Sequence, residues 1–256
     1  MTPRKLKLIG CEVITREALH LAATSPHKVH VELLRKGLHD LDTPDMVTAV
    51  QAAIDAVDPD AGYDAILLGY GRCNDGLVGV TARDIPLVLP RAHDCISFFL
   101  GSAAAYREYF DAHPGTYYYT TGWLERGGEF DEASQPGQKT EGVMARLGLT
   151  ESYEQLVAKH GKENADFIVE SLGDWRESYS HLMYIEMGVC DETPFIEDAR
   201  SRAEKNGWQF EVRKGSLELL RKLLWGEWDD DFLIIQPGQH FVARNDERIL
   251  DVEGPE

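Results

Sequence analysis

Strand and helix patterns alternate along the first 90 residues, and this alternation constrains the fold more than any other feature of the chain. Short apolar runs typical of strands occur at 5–10, 29–34, 63–70 and 85–90. Helix patterns begin between them at Thr15 and at Thr43, where Pro44 takes the first helical position and its missing N–H costs nothing. This order favours right-handed βαβ units on a mostly parallel sheet.

The same order returns in the last third of the chain. Strand patterns occur at 180–188, 208–212 and 232–238, and Thr193-Pro194 repeats the helix start of Thr43-Pro44. Between the two regions lie a strand pattern at 116–120 and short amphipathic helix patterns at 141–147, 152–160 and 164–172. The sequence predicts an α/β fold, a mostly parallel sheet built from repeated Rossmann-like βαβ units with a helical insertion in the middle.

Three segments follow from these patterns. We expect N-terminal Rossmann-like βαβ units in 1–102 and an aromatic segment with a helical insertion or cap in 103–178. We expect a C-terminal Rossmann-like unit, packed on the first, in 179–256. The acidic tail after Asp246 is predicted to fray.

The charge balance bears on partners. Asp and Glu number 44 against 26 Lys and Arg, a net charge of −18, which repels phosphate backbones and anionic lipid. No apolar run approaches the roughly 20 residues that cross a bilayer, and the N-terminus has no apolar signal-peptide core. We therefore expect a cytoplasmic protein that binds neither nucleic acid nor membranes. The sheet edges and the tryptophan-containing surfaces are compatible with a homodimer.

Four cysteines follow predicted strands, namely Cys11, Cys73, Cys95 and Cys190. They are too scattered for a zinc-ribbon pattern, and a reducing compartment disfavours disulfides. Ligands of parallel α/β sheets collect at the carboxyl ends of the strands, so the shared position indicates a site. The alternative is that each cysteine is a small buried hydrophobic residue.

His93 lies two residues from Cys95, and on an extended segment both side chains would point the same way. Together with Cys11 and Cys73 they form a three-Cys, one-His set that suits tetrahedral zinc, and Cys190 is a less favoured addition. Three thiolates alone suit a [4Fe–4S] cluster with one open iron. Otherwise the cysteines are structural and His93 is a capping residue.

A glycine-rich turn and an aromatic segment supply candidates for substrate binding. The turn spans 69–76, departs from G-x-G-x-x-G and contains no P-loop, so it predicts a binding loop or simply a tight turn. The aromatic segment, which also contains Tyr118, would line a pocket or pack on the sheet. The candidates are Gly69, Gly71, Arg72, Asn74, Arg91, Asp94, Tyr117, Tyr119 and Trp123. Asp94 is also placed to accept a hydrogen bond from a ligating histidine.

Four motifs are shared with a known family. They are Gly-Cys11-Glu after the first strand, Leu-Leu-Gly-Tyr-Gly-x-Cys73, Pro-Arg-Ala-His-Asp-Cys95 followed by Leu-Gly-Ser, and Pro-Gly-Thr-Tyr-Tyr-Tyr…Gly-Trp123. Over most of its length the chain resembles the prokaryotic family catalogued as domain of unknown function 1638. The resemblance implies that the protein occurs together with corrinoid-dependent methyltransferases acting on methylated amines, and hence that it has a role in one-carbon metabolism. Cys190 has no match in the family pattern.

A looser resemblance concerns only the arrangement of the cysteines on the fold. Quinolinate synthase and the diphthamide-forming radical enzymes hold a [4Fe–4S] cluster with three cysteines from separate Rossmann-like units. Cys11 and Cys73, with Cys95 or Cys190, are similar in placement.

Three functions remain open from the sequence. The first is a metal-binding protein of one-carbon metabolism, a metal-dependent transferase or lyase acting on a small molecule. The second is a non-catalytic accessory protein that binds a metal, a corrinoid or a methyltransferase component. The third is a metal-free enzyme in which Cys73 or Cys95 pairs with His93 as thiolate and base.

Overall fold

The computed structural model describes residues 2–36, 38, 43–73, 75–126, 157–158, 161–162, 164, 179–244, 246 and 248–255. The helix predicted at 141–147 lies outside the described residues. Those predicted at 152–160 and 164–172 do so except for isolated positions. Within the described residues the protein is a mixed α/β structure whose central sheet is mostly parallel, which confirms the predicted fold class at this level.

The first sheet has five strands in the order β2–β1–β3–β4–β8. Their bounds are β1 Lys5–Cys11, β2 Lys28–Leu34, β3 Ala65–Gly69, β4 Leu87–Pro90 and β8 Phe232–Ile235. The first four are parallel, and β8 pairs with β4 in the antiparallel sense, so the sheet is mostly parallel, as predicted. The helices that follow β1 and β2 are α1 Thr15–Thr24, preceded by a short 3-10 helix at Glu12–Ile14, and α2 Thr43–Asp55.

The second sheet is wholly parallel, with β5 Thr116–Tyr119, β6 His181–Glu186 and β7 Gln209–Lys214 in that order. Five more helices complete the described elements: α3 Cys95–Leu100, α4 Ala103–Ala112, α5 Thr121–Glu125, α6 Thr193–Asn206 and α7 Glu218–Trp225. β5 comes from the segment expected to be an insertion, and β8 from the segment expected to form a separate C-terminal unit. The first sheet therefore includes a strand from the predicted C-terminal segment, and the second sheet includes a strand from the predicted middle segment.

The C-terminal tail is ordered as a hairpin, so the prediction that it frays was wrong. β9 His240–Ala243 and β10 Leu250–Glu253 pair in the antiparallel sense. Leu250 is fully buried in the apolar cluster on one face of the first sheet, and Asp251 accepts hydrogen bonds from the Arg244 guanidinium. Phe241 and Ile249 are buried in the same cluster, and the burial of these apolar side chains stabilises the hairpin despite the acidic composition of the tail.

One apolar cluster joins the two sheets. It contains Leu8 and Val88 from the first sheet, Met183 and Ile185 from the second, and the buried leucines of α7. Because residues of both sheets share this core, the carboxyl ends of their strands have fixed positions relative to each other.

Candidate functional site

Three cysteines gather at the carboxyl edge of the first sheet. Cys11 is the last residue of β1, Cys95 is the first residue of α3 after β4, and Cys73 lies four residues beyond the end of β3. All three side chains are half-buried. β1, β3 and β4 are adjacent parallel strands, so their ends bring the thiols to one place.

The thiols are near enough to influence one another electrically. Burial, together with the charges of Cys11 and Asp94, raises the pKa of Cys73 to about 12. Burial likewise raises the pKa of Cys95 well above its ordinary value, with Asp94, Cys73 and Cys11 adding to the effect. As placed, however, no three His, Cys, Asp or Glu side chains among the described residues surround a common point at metal-ligand distance.

The loop that carries Cys73 is held against the segment that leads into α3. The Cys73 and Arg72 amides donate to the carbonyls of His93 and Ala92, at 2.9 and 2.8 Å. A Cβ at Gly71 would stand 2.7 Å from the backbone of Asp94, so this position requires glycine. The glycine predicted to approach a ligand instead approaches the neighbouring chain segment.

The other polar candidates have mainly structural partners. The His93 side chain is exposed. Asp94 caps α3 by accepting from the Ile96 amide at 2.9 Å. Arg72 donates to the Arg244 carbonyl at 2.9 Å and Arg91 to the Arg248 carbonyl at 3.0 Å, so both hold the C-terminal hairpin. Asn74 lies outside the described residues.

Successive tyrosines of β5 face opposite sides of the second sheet, as strand geometry requires. Tyr117 and Tyr119 are buried in the cluster beneath α6. Tyr118 faces the other way, towards Asp94, which together with burial raises the pKa of Tyr118 to about 12. The Lys36 ammonium lies 4.4 Å from the centre of the half-buried Trp123 ring.

Two tyrosines near the thiols were not singled out from the sequence. Tyr106 is hydrogen-bonded to Asp94. Tyr70 is 3% exposed, and its hydroxyl has no hydrogen-bond partner among the described residues. Burial raises the pKa of Tyr70, and the neighbouring Cys11 and Cys73 raise it further. The available signal was the position of Tyr70, between two glycines at the end of a buried strand.

Cys190 belongs to a different place, the carboxyl edge of the second sheet. It follows β6, and its thiol is hydrogen-bonded to Thr121, the first residue of α5. Burial raises the pKa of Cys190, whereas the Arg16 charge lowers it. The thiol therefore lies among groups that belong to the second edge rather than beside the other three cysteines.

A buried carboxylate organises this second edge. Glu192, 4% exposed, accepts hydrogen bonds from the Tyr184 hydroxyl at 2.9 Å, the Thr121 hydroxyl at 3.2 Å and the Gly188 amide at 2.5 Å. It thereby ties the start of α6 to β6 and α5. Three donors are enough to satisfy a buried carboxylate.

Glu17 is the contrasting case at the same edge. Its side chain, in the first turn of α1, is fully buried, and neither carboxyl oxygen has a hydrogen-bond partner among the described residues. Burial, together with the charge of Glu192, raises the pKa of Glu17 to about 7. The next residue towards the N-terminus, Arg16, forms a two-oxygen ion pair with Glu125 of α5.

The fold and the first edge define an α/β protein with three cysteines at the carboxyl ends of adjacent parallel strands. A family model described as Protein of unknown function (DUF1638) matches residues 33–224, well over half of the chain, and the protein belongs to this family. Cys73, Cys95 and Cys190 lie within the match and Cys11 precedes it. No curated protein and no solved structure gives a significant match. No helix in the described part of the chain is long and apolar enough to cross a membrane.

Proposed function

We propose that Cys11, Cys73 and Cys95 hold a transition metal, as a zinc ion or a [4Fe–4S] cluster, and that the protein acts through this centre. The observation that carries the proposal is the convergence of three thiols at the ends of adjacent parallel strands. Thiolates are the preferred ligands of both groups. Binding requires the thiols to draw closer around the metal than they stand in the described structure.

Charge explains why a cation suits this edge. Burial and neighbouring charges that include Cys11 and Asp94 raise the pKa of Cys73 and of Cys95, so three thiolates together in this half-buried place are unfavourable without a cation. A metal ion reverses that balance, because it stabilises the deprotonated ligands and releases their protons. With three protein thiolates, the fourth position stays open for His93 or for a substrate.

The wider role continues the expectation drawn from the family resemblance. The proposed centre would serve a metal-dependent transferase or lyase in cytoplasmic one-carbon metabolism. Its partners would be a small-molecule substrate or corrinoid-linked methyltransferase components. We further infer that the two sheets represent two Rossmann-like units. In support of this inference, β1–α1–β2 and β6–α6–β7 each join two parallel neighbours through a helix.

The direct test is metal analysis of protein purified without oxygen, with acid-labile sulfide and a visible spectrum. We expect either iron and sulfide near about four each per chain, or about one zinc and no colour. Cys73→Ser should lose most of the metal and keep the far-ultraviolet circular dichroism of the wild type. Cys190→Ser is the matched control, since it removes a thiol at the other edge, and should retain full metal content. Equal metal content in all three proteins would overturn the assignment.

A metal-free nucleophilic thiol is the second candidate. The observation in its favour is the close approach of the His93 backbone to Cys73. The raised pKa of Cys73, about 12, makes this thiol a weak nucleophile at neutral pH. Rapid alkylation of Cys73 or Cys95 in metal-free wild type would favour this candidate, whereas slow alkylation favours the metal centre.

A further inference from the structure

The last strand of the second sheet, β7, has an open edge. It lies at the end of the order β5–β6–β7 and pairs with β6 alone. Its residues from Glu211 to Lys214 are all exposed, and among them Val212 is a large apolar side chain that is 40% exposed. An open strand edge with an exposed apolar residue at its middle is a surface to which a further strand can be added.

The hydrogen bonds to β6 decide which backbone groups of β7 face outwards. The Gln209 amide donates to the Ser180 carbonyl at 2.9 Å, and the Gly215 amide donates to the Glu186 carbonyl at 2.8 Å. Successive residues of a strand direct their backbone groups to opposite sides, so the odd-numbered residues of β7 face β6. The residues whose N–H and C=O groups point to the open edge are therefore Phe210, Val212 and Lys214.

Two charges of opposite sign flank Val212 on one face of this edge. Glu211 and Arg213 share that face because they are two residues apart. Tyr109 of α4 contacts both: its hydroxyl donates to a Glu211 carboxylate oxygen at 2.6 Å, and the Arg213 guanidinium lies 4.9 Å from the centre of its ring. Arg213 forms no ion pair with any described residue. The edge thus presents a cation and an anion at fixed places on either side of its midpoint.

We propose that β7 pairs with β7 of a second copy of this chain, in the antiparallel sense and with a two-fold axis at Val212. In this register the outward backbone groups of Val212 meet those of the same residue in the partner, and those of Phe210 meet those of Lys214, which gives about six hydrogen bonds. Each Glu211 lies opposite Arg213 of the partner subunit, where the side chains of an antiparallel pair approach most closely. The two second sheets become one sheet in the order β5–β6–β7–β7–β6–β5.

The placement of the charges favours a second copy over an unrelated strand. Charged side chains on an edge strand commonly prevent pairing. On β7 the two charges are opposite in sign and symmetric about one residue, so a copy of the same strand supplies both complements at once. β2, the terminal strand of the first sheet, differs because it is half-buried after its first residue and its Glu32 is already paired with Lys7. The proposal is independent of the metal centre, since β7 carries no thiol.

Charge reversal tests the register. Sedimentation velocity of the full chain over a range of concentrations should show a wild-type dimer. Arg213→Glu places carboxylates opposite each other across the axis, and Glu211→Arg does the same with guanidinium groups, so each variant should dimerise about tenfold or more weakly. An equimolar mixture of the two variants should recover the dimer, because every carboxylate then faces a guanidinium. Proteins that had merely failed to fold would not recover it.

Val212→Pro tests the backbone pairing. Proline removes the N–H that faces the open edge and leaves the hydrogen bonds to β6 in place, so this variant should be a monomer with the far-ultraviolet circular dichroism of the wild type. Lys28→Glu is the matched control, since it makes the same charge change as Arg213→Glu at the exposed start of β2, and it should dimerise like the wild type. A wild type that stays monomeric at every concentration would overturn the proposal. A dimer that persists in Val212→Pro, or a mixture of the charge variants that stays monomeric, would overturn it as well.

Discussion

The carboxyl edges of the two parallel sheets carry different chemistry. At the first edge, burial, together with neighbouring charges that include Cys11 and Asp94, raises the pKa of Cys73 and of Cys95, and the Tyr70 hydroxyl has no hydrogen-bond partner among the described residues. At the second edge, Glu192 has three donors within the protein. Similar topology thus gives one edge where the Glu192 carboxylate is satisfied within the protein, and one where the Tyr70 hydroxyl has no such partner among the described residues. The comparison shows that a position at a strand end places a polar side chain where a ligand could reach it. The hydrogen-bond partners that the protein supplies then decide whether that side chain still needs a ligand.

The two edges meet in a tight contact. α5, which begins the second edge, packs on the 3-10 helix that follows Cys11, and a Cβ on Gly122 would stand 1.8 Å from the Val13 carbonyl oxygen. The second edge therefore acts as a structural support for the segment that carries the first. The following changes test that division, beginning with the largest expected effect.

Gly122→Ala should break the contact between the edges. The added methyl group collides with backbone, which cannot turn aside as a flexible side chain could, so we expect a loss of about 3 kcal/mol or more in the free energy of unfolding. Urea unfolding measures it. Gly62→Ala is the control: a Cβ there meets nothing within 4 Å, and its φ of +72° alone should cost about 1 kcal/mol. Equal losses would show that Gly122 does not join the edges.

Glu17→Gln tests the unsatisfied carboxyl of the second edge. The pKa of Glu17 is about 7 in the folded protein against an ordinary value of 4.5, so the folded state binds more protons between these values. Wild-type stability should therefore fall as pH rises from about 4.5 through 7. The glutamine variant escapes this loss, so it should match the wild type near pH 5 and exceed it near pH 8 by up to about 3 kcal/mol. Urea unfolding at both pH values measures the difference.

Glu192→Gln is the control for Glu17→Gln. It shows whether replacing any buried carboxylate of the second edge by an amide raises stability at high pH. Its carboxylate has three donors, and an amide nitrogen in place of one oxygen leaves a donor facing a donor. This variant should lose stability at both pH values, by about 2 kcal/mol. A Glu17→Gln protein whose stability follows the wild type across the whole pH range would refute the contrast between the two acids.

Glu125→Gln should have the smallest effect. The carboxylate accepts from Arg16 Nε at 3.0 and 2.9 Å, but the pair is largely exposed, so we expect less than about 1 kcal/mol, decreasing further at high salt. Asp55→Asn, which breaks the exposed pair with Arg83, should cost a similar amount. A clearly larger loss at Glu125 would mean that the surface of the second edge also supports the contact.

Local pattern predicted most of the regular elements. The helices expected to start at Thr15, Thr43 and Thr193 do begin there, because proline position and apolar spacing act within a few residues. Thr15 and Thr193 are the first helical residues rather than caps, since Ile14 and Glu192 precede them without a side-chain cap hydrogen bond. The C-terminal hairpin was not predicted, because Phe241, Ile249 and Leu250 are buried against a face of the first sheet that is distant in sequence. Composition alone could not reveal that contact.

The candidate site was predictable only in part. The positions of Cys11, Cys73 and Cys95 after strands follow from apolar runs that end in the sequence, and parallel topology brings strand ends to one edge. The partners of Arg91 could not be foreseen, because they are carbonyls more than 150 positions away along the chain. Tyr117 and Tyr118 look equivalent in sequence, and only the sheet shows which one faces Asp94.

The sequence by itself determined the α/β class, the order of strands and helices, and the presence of thiols at strand ends. These properties depend on neighbours a few residues apart, where propensity and periodicity act. Only the tertiary structure decided that Cys190 joins Glu192 rather than the other cysteines, that Glu17 is buried without a described partner, and that Tyr70 stands beside the thiols. Burial and pairing across the two sheets set these properties, because the free energy of a polar group depends on every group packed around it.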